Sequence, residues 1–172
     1  MIIEIDKIPP EGLKISKDFE FFNADIIEES AVFLRSVHSE LFIKGIGEEI
    51  LIRGRIKTRL SFVCSRCLAP FEFPVDSKFD LVYLPEELDV FQDKLENGEI
   101  NTFFYYSYKI NVKEVVLEQL NLTFPLKPLC SENCQGICPV CGKIIKEGEC
   151  ACVRDDSDPR LEKLKTFMKD KR

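Results

Sequence analysis

The sequence predicts an α+β fold: a mainly antiparallel β-domain, a curved sheet or barrel-like, with one packed helix. A cysteine-rich, zinc-organised C-terminal segment ending in a helix completes it. Three observations carry this. Apolar and polar residues alternate from Ile50 to Val63. Asn111 and Glu114 stand at the head of a helically spaced apolar run. Eight cysteines fall into close pairs.

In chain order, Val32, Leu34, Val37, Leu41, Phe42 and Ile43 lie in β-rich stretches broken by polar residues. Gly45, Gly47, Glu48 and Glu49 mark a turn. The clearest strand follows. Ile50, Ile52, Ile56, Leu60 and Phe62 share one face, with Gly54 and Thr58 in the same register. Arg53, Arg55, Lys57 and Arg59 share the other. Period two gives an apolar inside and a cationic outside. A return strand runs through Phe71 and Phe73, then Phe79, Leu81 and Tyr83 to Pro85, so Cys64 and Cys67 sit near a hairpin tip.

Residues 86–99 are acidic and read as a loop, with Asn97 and Gly98 as a turn signal. Phe103 to Ile110 reads as one aromatic strand, core on one face and rim on the other. Asn111 then caps a helix through a capping box with Glu114, and Val112, Val115, Val116 and Leu120 form its apolar stripe. Pro125 and Pro128 prevent its continuation. Asp158 and Pro159 start a last helix, striped by Leu161, Leu164 and Met168. The expected division is a β-rich domain with its C-x-x-C knuckle and packed helix over 1–128, and a zinc-binding tail over 129–172.

Cys64 and Cys67 form one C-x-x-C pair; Cys130, Cys134, Cys138, Cys141, Cys150 and Cys152 crowd into one stretch. A tetrahedral zinc needs four soft ligands, and close pairs lower the entropic cost of gathering them. Disulfides are the competing reading of an even count, and redox thiols or an iron–sulfur cluster are others. The N-terminus has no basic stretch followed by an apolar one, and no run approaches a membrane span. A cytoplasmic protein with reduced thiols and no membrane association is therefore expected. Two structural zincs follow. The simplest closure puts Cys138, Cys141, Cys150 and Cys152 on one metal, and Cys64, Cys67, Cys130 and Cys134 on the other. The rival closure joins Cys130, Cys134, Cys138 and Cys141, leaving Cys150 and Cys152 with Cys64 and Cys67. Four thiolates leave no open position for water, so neither site is catalytic. No Gly-rich phosphate loop or nucleophile–His pair occurs, and the chain reads as no enzyme.

With 24 basic and 30 acidic residues the formal net charge is -6. An acidic chain is no bulk nucleic-acid binder, so any RNA contact must be a local patch. Arg53, Arg55, Lys57, Arg59 and the knuckle's Arg66 are that patch: a row of cations suited to a phosphate backbone. A solvated face paired with acids is the alternative. The lone His38 is given no role.

Read together, these motifs resemble the YceD family of large ribosomal RNA subunit accumulation proteins. The match runs through Val63-Cys64-Ser65-Arg66-Cys67-Leu68, the helix from Asn111 to Leu122 with its trailing Pro125, and Leu129 to Gly142. It closes with Cys150-Ala151-Cys152 and Asp158-Pro159-Arg160-Leu161. Asn111 departs from the Asp common there, but both cap helices. The resemblance implies a bacterial or organellar ribosome-biogenesis factor. It would support accumulation of large-subunit rRNA by binding precursor rRNA or an early assembly intermediate. It also implies separable metal sites, since some members lack the last four cysteines, which favours the first closure. The alternative is an adaptor docking a basic ribosomal protein or an rRNA-processing enzyme.

Overall fold

Alternation along the chain builds one long sheet in the computed structural model, which describes residues 1–22, 25–26, 31–86, 101–145, 150 and 152. The elements are β1 (Ile2–Glu4), a 3-10 turn (Ile5–Lys7), β2 (Leu13–Phe19), β3 (Val32–Phe33), β4 (Val37–Ile46) and β5 (Glu49–Val63). Then come β6 (Pro70–Pro85), β7 (Thr102–Tyr105), β8 (Lys109–Asn111) and α1 (Val112–Leu122). The main sheet runs β2-β4-β5-β6-β7, with β3 also paired to β5. It is open: β2 and β7 end the path and are not joined to each other, so the barrel-like form is not adopted. All pairings are antiparallel except β6 with β7, which is parallel.

The β5 alternation holds residue by residue. Ile50, Ile52, Ile56, Leu60 and Phe62 are buried, while Arg53, Lys57 and Arg59 are exposed. Gly54 sits on the inner face beneath the rings and methyls of its neighbours. A Cβ there would meet the Phe79 ring and lie 2.6 Å from Leu41 Cδ2. Phe62 anchors the core, edge-on to Phe73 at 5.3 Å and to Phe124 at 5.5 Å. The turn between β4 and β5 is the pair Gly47-Glu48, with Gly47 at φ +63. The alternation named no strand before Val32. β2 is an edge strand carrying Lys14, Lys17 and Asp18, so its apolar signal is thin.

The aromatic strand expected from Phe103 to Ile110 is instead two. β7 adds to the main sheet, and β8 pairs with β1. Between them Ser107 and Tyr108 take positive φ (53 and 54), which ends one ladder and starts another. Phe103 stacks on Tyr83 at 5.4 Å and Tyr105 is buried, whereas Tyr106 and Tyr108 are exposed.

Asn111 caps α1 as its sequence signals. Its side-chain oxygen accepts from the Lys113 N–H at 3.2 Å, and its amide donates to Glu114 Oε1 at 2.7 Å. Glu114 thus reaches the capping side chain rather than the Asn111 backbone N–H. Val112, Val115, Val116 and Leu120 are buried in the core that the sheet's inner face lines. Among the described residues, no helix is long and apolar enough to cross a membrane. The last helix from Asp158 and the Asn97-Gly98 turn lie outside the described residues.

Candidate metal centres and the cationic strand face

The hairpin tip between β5 and β6 presents Cys64 and Cys67. The Cys64 N–H donates to the Ala69 carbonyl at 2.9 Å, and the Leu68 N–H to the Cys64 carbonyl at 2.9 Å. This closes a tight loop with both cysteines buried. The tail comes back to this tip. Ser65 donates twice to the Pro128 carbonyl, from N–H at 2.8 Å and from Oγ at 3.1 Å. Arg66 Nη1 donates to the Cys134 carbonyl at 2.8 Å. Gly136, at φ +80, lets the backbone pass the knuckle: a Cβ there would lie 3.0 Å from the Arg66 carbonyl oxygen.

The result is a cluster of Cys64, Cys67, Cys130 and Cys134, whose sulfurs lie within 4.8 Å of one another. Cys64 Sγ is 3.8 Å from Cys134 Sγ, and Cys67 Sγ is 3.7 Å from Cys130 Sγ. A bonded disulfide would bring sulfurs to about 2.05 Å. Four sulfurs at about 2.3 Å from a central zinc stand about 3.8 Å apart, so the spacing suits a tetrahedral ion.

The second cluster is Cys138, Cys141, Cys150 and Cys152, also within 4.8 Å. Its knuckle is the C-P-V-C-G turn. The Gly142 N–H donates to the Cys138 carbonyl at 2.8 Å, and the Cys138 N–H to the Lys143 carbonyl at 2.7 Å. Gly142 supplies φ +70, as that turn requires. An antiparallel bridge between Ile137 and Ile144 closes the hairpin. Cys141 Sγ is 3.8 Å from Cys150 Sγ. The structure therefore groups the cysteines as the simplest closure has them and does not join Cys130 and Cys134 to Cys138 and Cys141.

The thiols are poised unevenly. Burial pushes Cys64 up, but N–H groups of Cys67, Cys130 and Arg66 more than offset this and lower it to about 6. The N–H groups of Cys141 and Val140 hold Cys138 at about 6 against desolvation. Sulfur neighbours compete for the charge. Cys134 and Cys67 push Cys130 up to about 12, and Cys150 and Cys141 push Cys152 up to about 12. Each cluster thus has one sulfur ready to ionise and another that resists, and a divalent cation relieves that conflict.

The cationic face is a different matter. Arg53 Nε lies 3.0 Å from Asp80 Oδ1, and Arg59 Nη1 lies 3.1 Å from Glu72 Oε2. Arg55 holds Asp76 through two bonds of 2.6 Å. The partners all come from β6, the neighbouring strand, so β5 and β6 form a cross-strand charge ladder. Arg66 spends its donors on tail carbonyls. Of the five, Lys57 and Arg66 form no ion pair among the described residues. Arg35 also stands on this side, beside Lys57 and Arg59, and the period-two pattern of β5 gave no signal for it.

Similarity to known proteins agrees with the motifs. An uncharacterised protein of Mycobacterium tuberculosis is 25% identical over 126 residues, covering 73% of this chain and 58% of the relative. A counterpart in Mycobacterium bovis matches to the same extent. One in Mycobacterium leprae is 20% identical over 138 residues, covering 77% of this chain and 59% of the relative. The chain thus spans less than two thirds of the length of these relatives. No solved structure matches. The family model of the large ribosomal RNA subunit accumulation protein YceD matches residues 52–168, from the charge ladder through both cysteine clusters. That span exceeds half of the chain, and the chain belongs to the YceD family.

Proposed function

We propose that this chain is a non-catalytic ribosome-biogenesis factor that supports accumulation of large-subunit rRNA by binding precursor rRNA or an early assembly intermediate. The observation that carries this is the family match over residues 52–168. The metal chemistry supports it. Each cluster offers four thiols, which suit zinc and leave no position for a reacting water. The zincs would hold the scaffold: one pins the tail to the β5–β6 tip, and the other closes the C-P-V-C-G hairpin. The cationic side of β5 and the knuckle, Arg53, Arg55, Lys57, Arg59 and Arg66, would face the RNA. The ion pairs on Arg53, Arg55 and Arg59 are exposed, so phosphates can exchange for the carboxylates at little cost.

The test is in-cell ultraviolet crosslinking of the tagged protein, followed by sequencing of the attached RNA. Crosslinks concentrated in large-subunit rRNA, and lost in Arg55→Glu/Arg59→Glu, support the reading. Absence of RNA crosslinks sinks it.

One observation favours a second reading. The chain carries a net charge of -6, and β6 already supplies carboxylates to three of the five cations. An acidic adaptor of this kind would dock a basic ribosomal protein or rRNA-processing enzyme. Recovery of such a partner that survives nuclease treatment, with no RNA crosslinks, would select it.

A further inference from the structure

The outer face of the sheet holds a feature that the alternation of β5 does not announce. β3 and β4 both pair with β5 from the same side. Phe33 stands opposite Leu60, and His38 opposite Lys57. Leu34 to Val37 therefore face only Thr58 and Arg59, and the chain bulges. The bulge is held at both ends: the Leu34 N–H donates to the Arg59 carbonyl at 2.9 Å, and Thr58 Oγ1 donates to the Arg35 carbonyl at 3.0 Å. Bulges re-aim side chains and recur at binding sites.

Here the re-aimed residues are Arg35 and Ser36. With His38, Lys57, Thr58 and Arg59 they line a cleft of about 310 Å³. Among the described residues neither Arg35 nor Lys57 forms an ion pair. The acids nearby are already engaged. Asp18, whose carboxylate also lines the cleft, takes His38 Nδ1 at 2.7 Å, Glu72 takes Arg59, and Asp76 is held by two donors of Arg55. Among the described residues the cleft therefore offers two cations outside any ion pair, a third that is singly bonded, and a hydroxyl on a bulge. Pro74 is the one apolar residue in its lining; the rest carry charged or polar groups. A guanidinium and an ammonium converging on one concavity suit a tetrahedral dianion or a diester oxygen pair.

We propose that this cleft is a phosphate-binding site, seating a phosphodiester of a nucleic-acid strand against Arg35, Lys57 and Arg59, with Ser36 donating its hydroxyl. The proposal deepens the rRNA reading and rests on it for the identity of the strand. It moves the centre of the contact from the whole β5 row to one end of it, and adds Arg35 and Ser36, which lie outside that row. Arg53, at the other end and tied to Asp80, has no part in it.

The test uses the full chain loaded with zinc and a short fluorescein-labelled single-stranded RNA, with anisotropy followed over a potassium chloride series. Arg35→Ala/Lys57→Ala is compared with Lys7→Ala/Lys44→Ala, which removes the same charge elsewhere. Two lost phosphate contacts on a single strand lower the salt slope by about 1.4. The expected result is that drop in the cleft variant and an unchanged slope in the control. In parallel, inorganic phosphate is titrated into labelled wild-type protein, and the amide signals of Arg35, Ser36 and Lys57 are expected to shift together. If the wild type binds RNA but the cleft variant keeps its slope, the cleft proposal is overturned and the rRNA reading stands. If phosphate shifts those amides while no RNA binds, the cleft stands as a phosphate site and the rRNA reading falls. Neither RNA binding nor amide shifts would overturn both.

Discussion

Cys64 Sγ lies 3.8 Å from Cys134 Sγ, seventy residues further along the chain. That approach joins a hairpin tip to a tail whose Ile137, Val140 and Ile144 stay exposed rather than forming a core. The thiols, together with the hydrogen bonds that Ser65 and Arg66 donate to the Pro128 and Cys134 carbonyls, replace a core at that junction. Closing so long a loop costs chain entropy, which metal binding would offset.

The grouping of the cysteines is separable by mutation. Serine at Cys64, Cys67, Cys130 and Cys134 together should leave one zinc of two, bound at Cys138, Cys141, Cys150 and Cys152. The mirror variant should also keep one. Elemental analysis of the purified proteins measures this. Under the rival closure either quadruple variant would bind none.

Zinc loading should depend on pH in one direction. Cys130 and Cys152, pushed up to about 12, hold their protons until metal arrives, so loading releases protons. Zinc affinity therefore falls as pH falls, by about tenfold per pH unit for each proton released. Competition with a chelator at two pH values reads the slope. An affinity that does not change with pH would contradict thiol ligation.

The Arg55–Asp76 pair should be visible as a titration. The hydrogen bonds from Arg55 hold the Asp76 carboxyl below the ordinary carboxylate range, in spite of some desolvation. A depressed folded value stabilises above the unfolded pKa and is lost as pH falls through the folded one. Arg55→Ala should return Asp76 upward towards its usual range, seen in the side-chain carboxyl signal by NMR. The change in melting temperature should be small, because both groups are exposed. No movement of Asp76 would mean the pair does not persist in solution.

Phe62→Ala should destabilise the fold by about 3–5 kcal/mol, because a fully buried ring leaves a cavity between Phe73 and Phe124. Chemical denaturation of the zinc-loaded protein measures it. A loss below about 1 kcal/mol would show that the core relaxes around the gap.

Gly136→Ala meets two obstacles at once: a positive φ and an Arg66 carbonyl oxygen 3.0 Å from the new Cβ. It should cost about 1–2 kcal/mol. It should also loosen the tail at the knuckle, with faster amide exchange at Ser65 and Cys134. Unchanged exchange would mean that the tail is held by the sulfurs alone.

Much of this was legible in the order of residues. Strand β5 could be read because each residue's face is set by its own parity, and the sheet needs one apolar face. The capped helix could be read because Asn111 and Glu114 act within one turn. The eight clustered sulfurs could be named as candidate ligands because thiols in close pairs suit a soft metal ion. What only the tertiary structure decided is everything that depends on partners remote in sequence. Whether the arginines of β5 stand free was settled by the carboxylates of β6, which alternation along β5 cannot foresee. The aromatic run was divided because Ser107 and Tyr108 turn, sending Lys109 to Asn111 to a strand at the N-terminus. The cysteine pairs were joined into two groups by where the chain returns, and Arg35 came to the sheet face through a bulge defined by two strands at once. Local rules determine conformation and face; the choice of neighbour is a property of the whole folded chain.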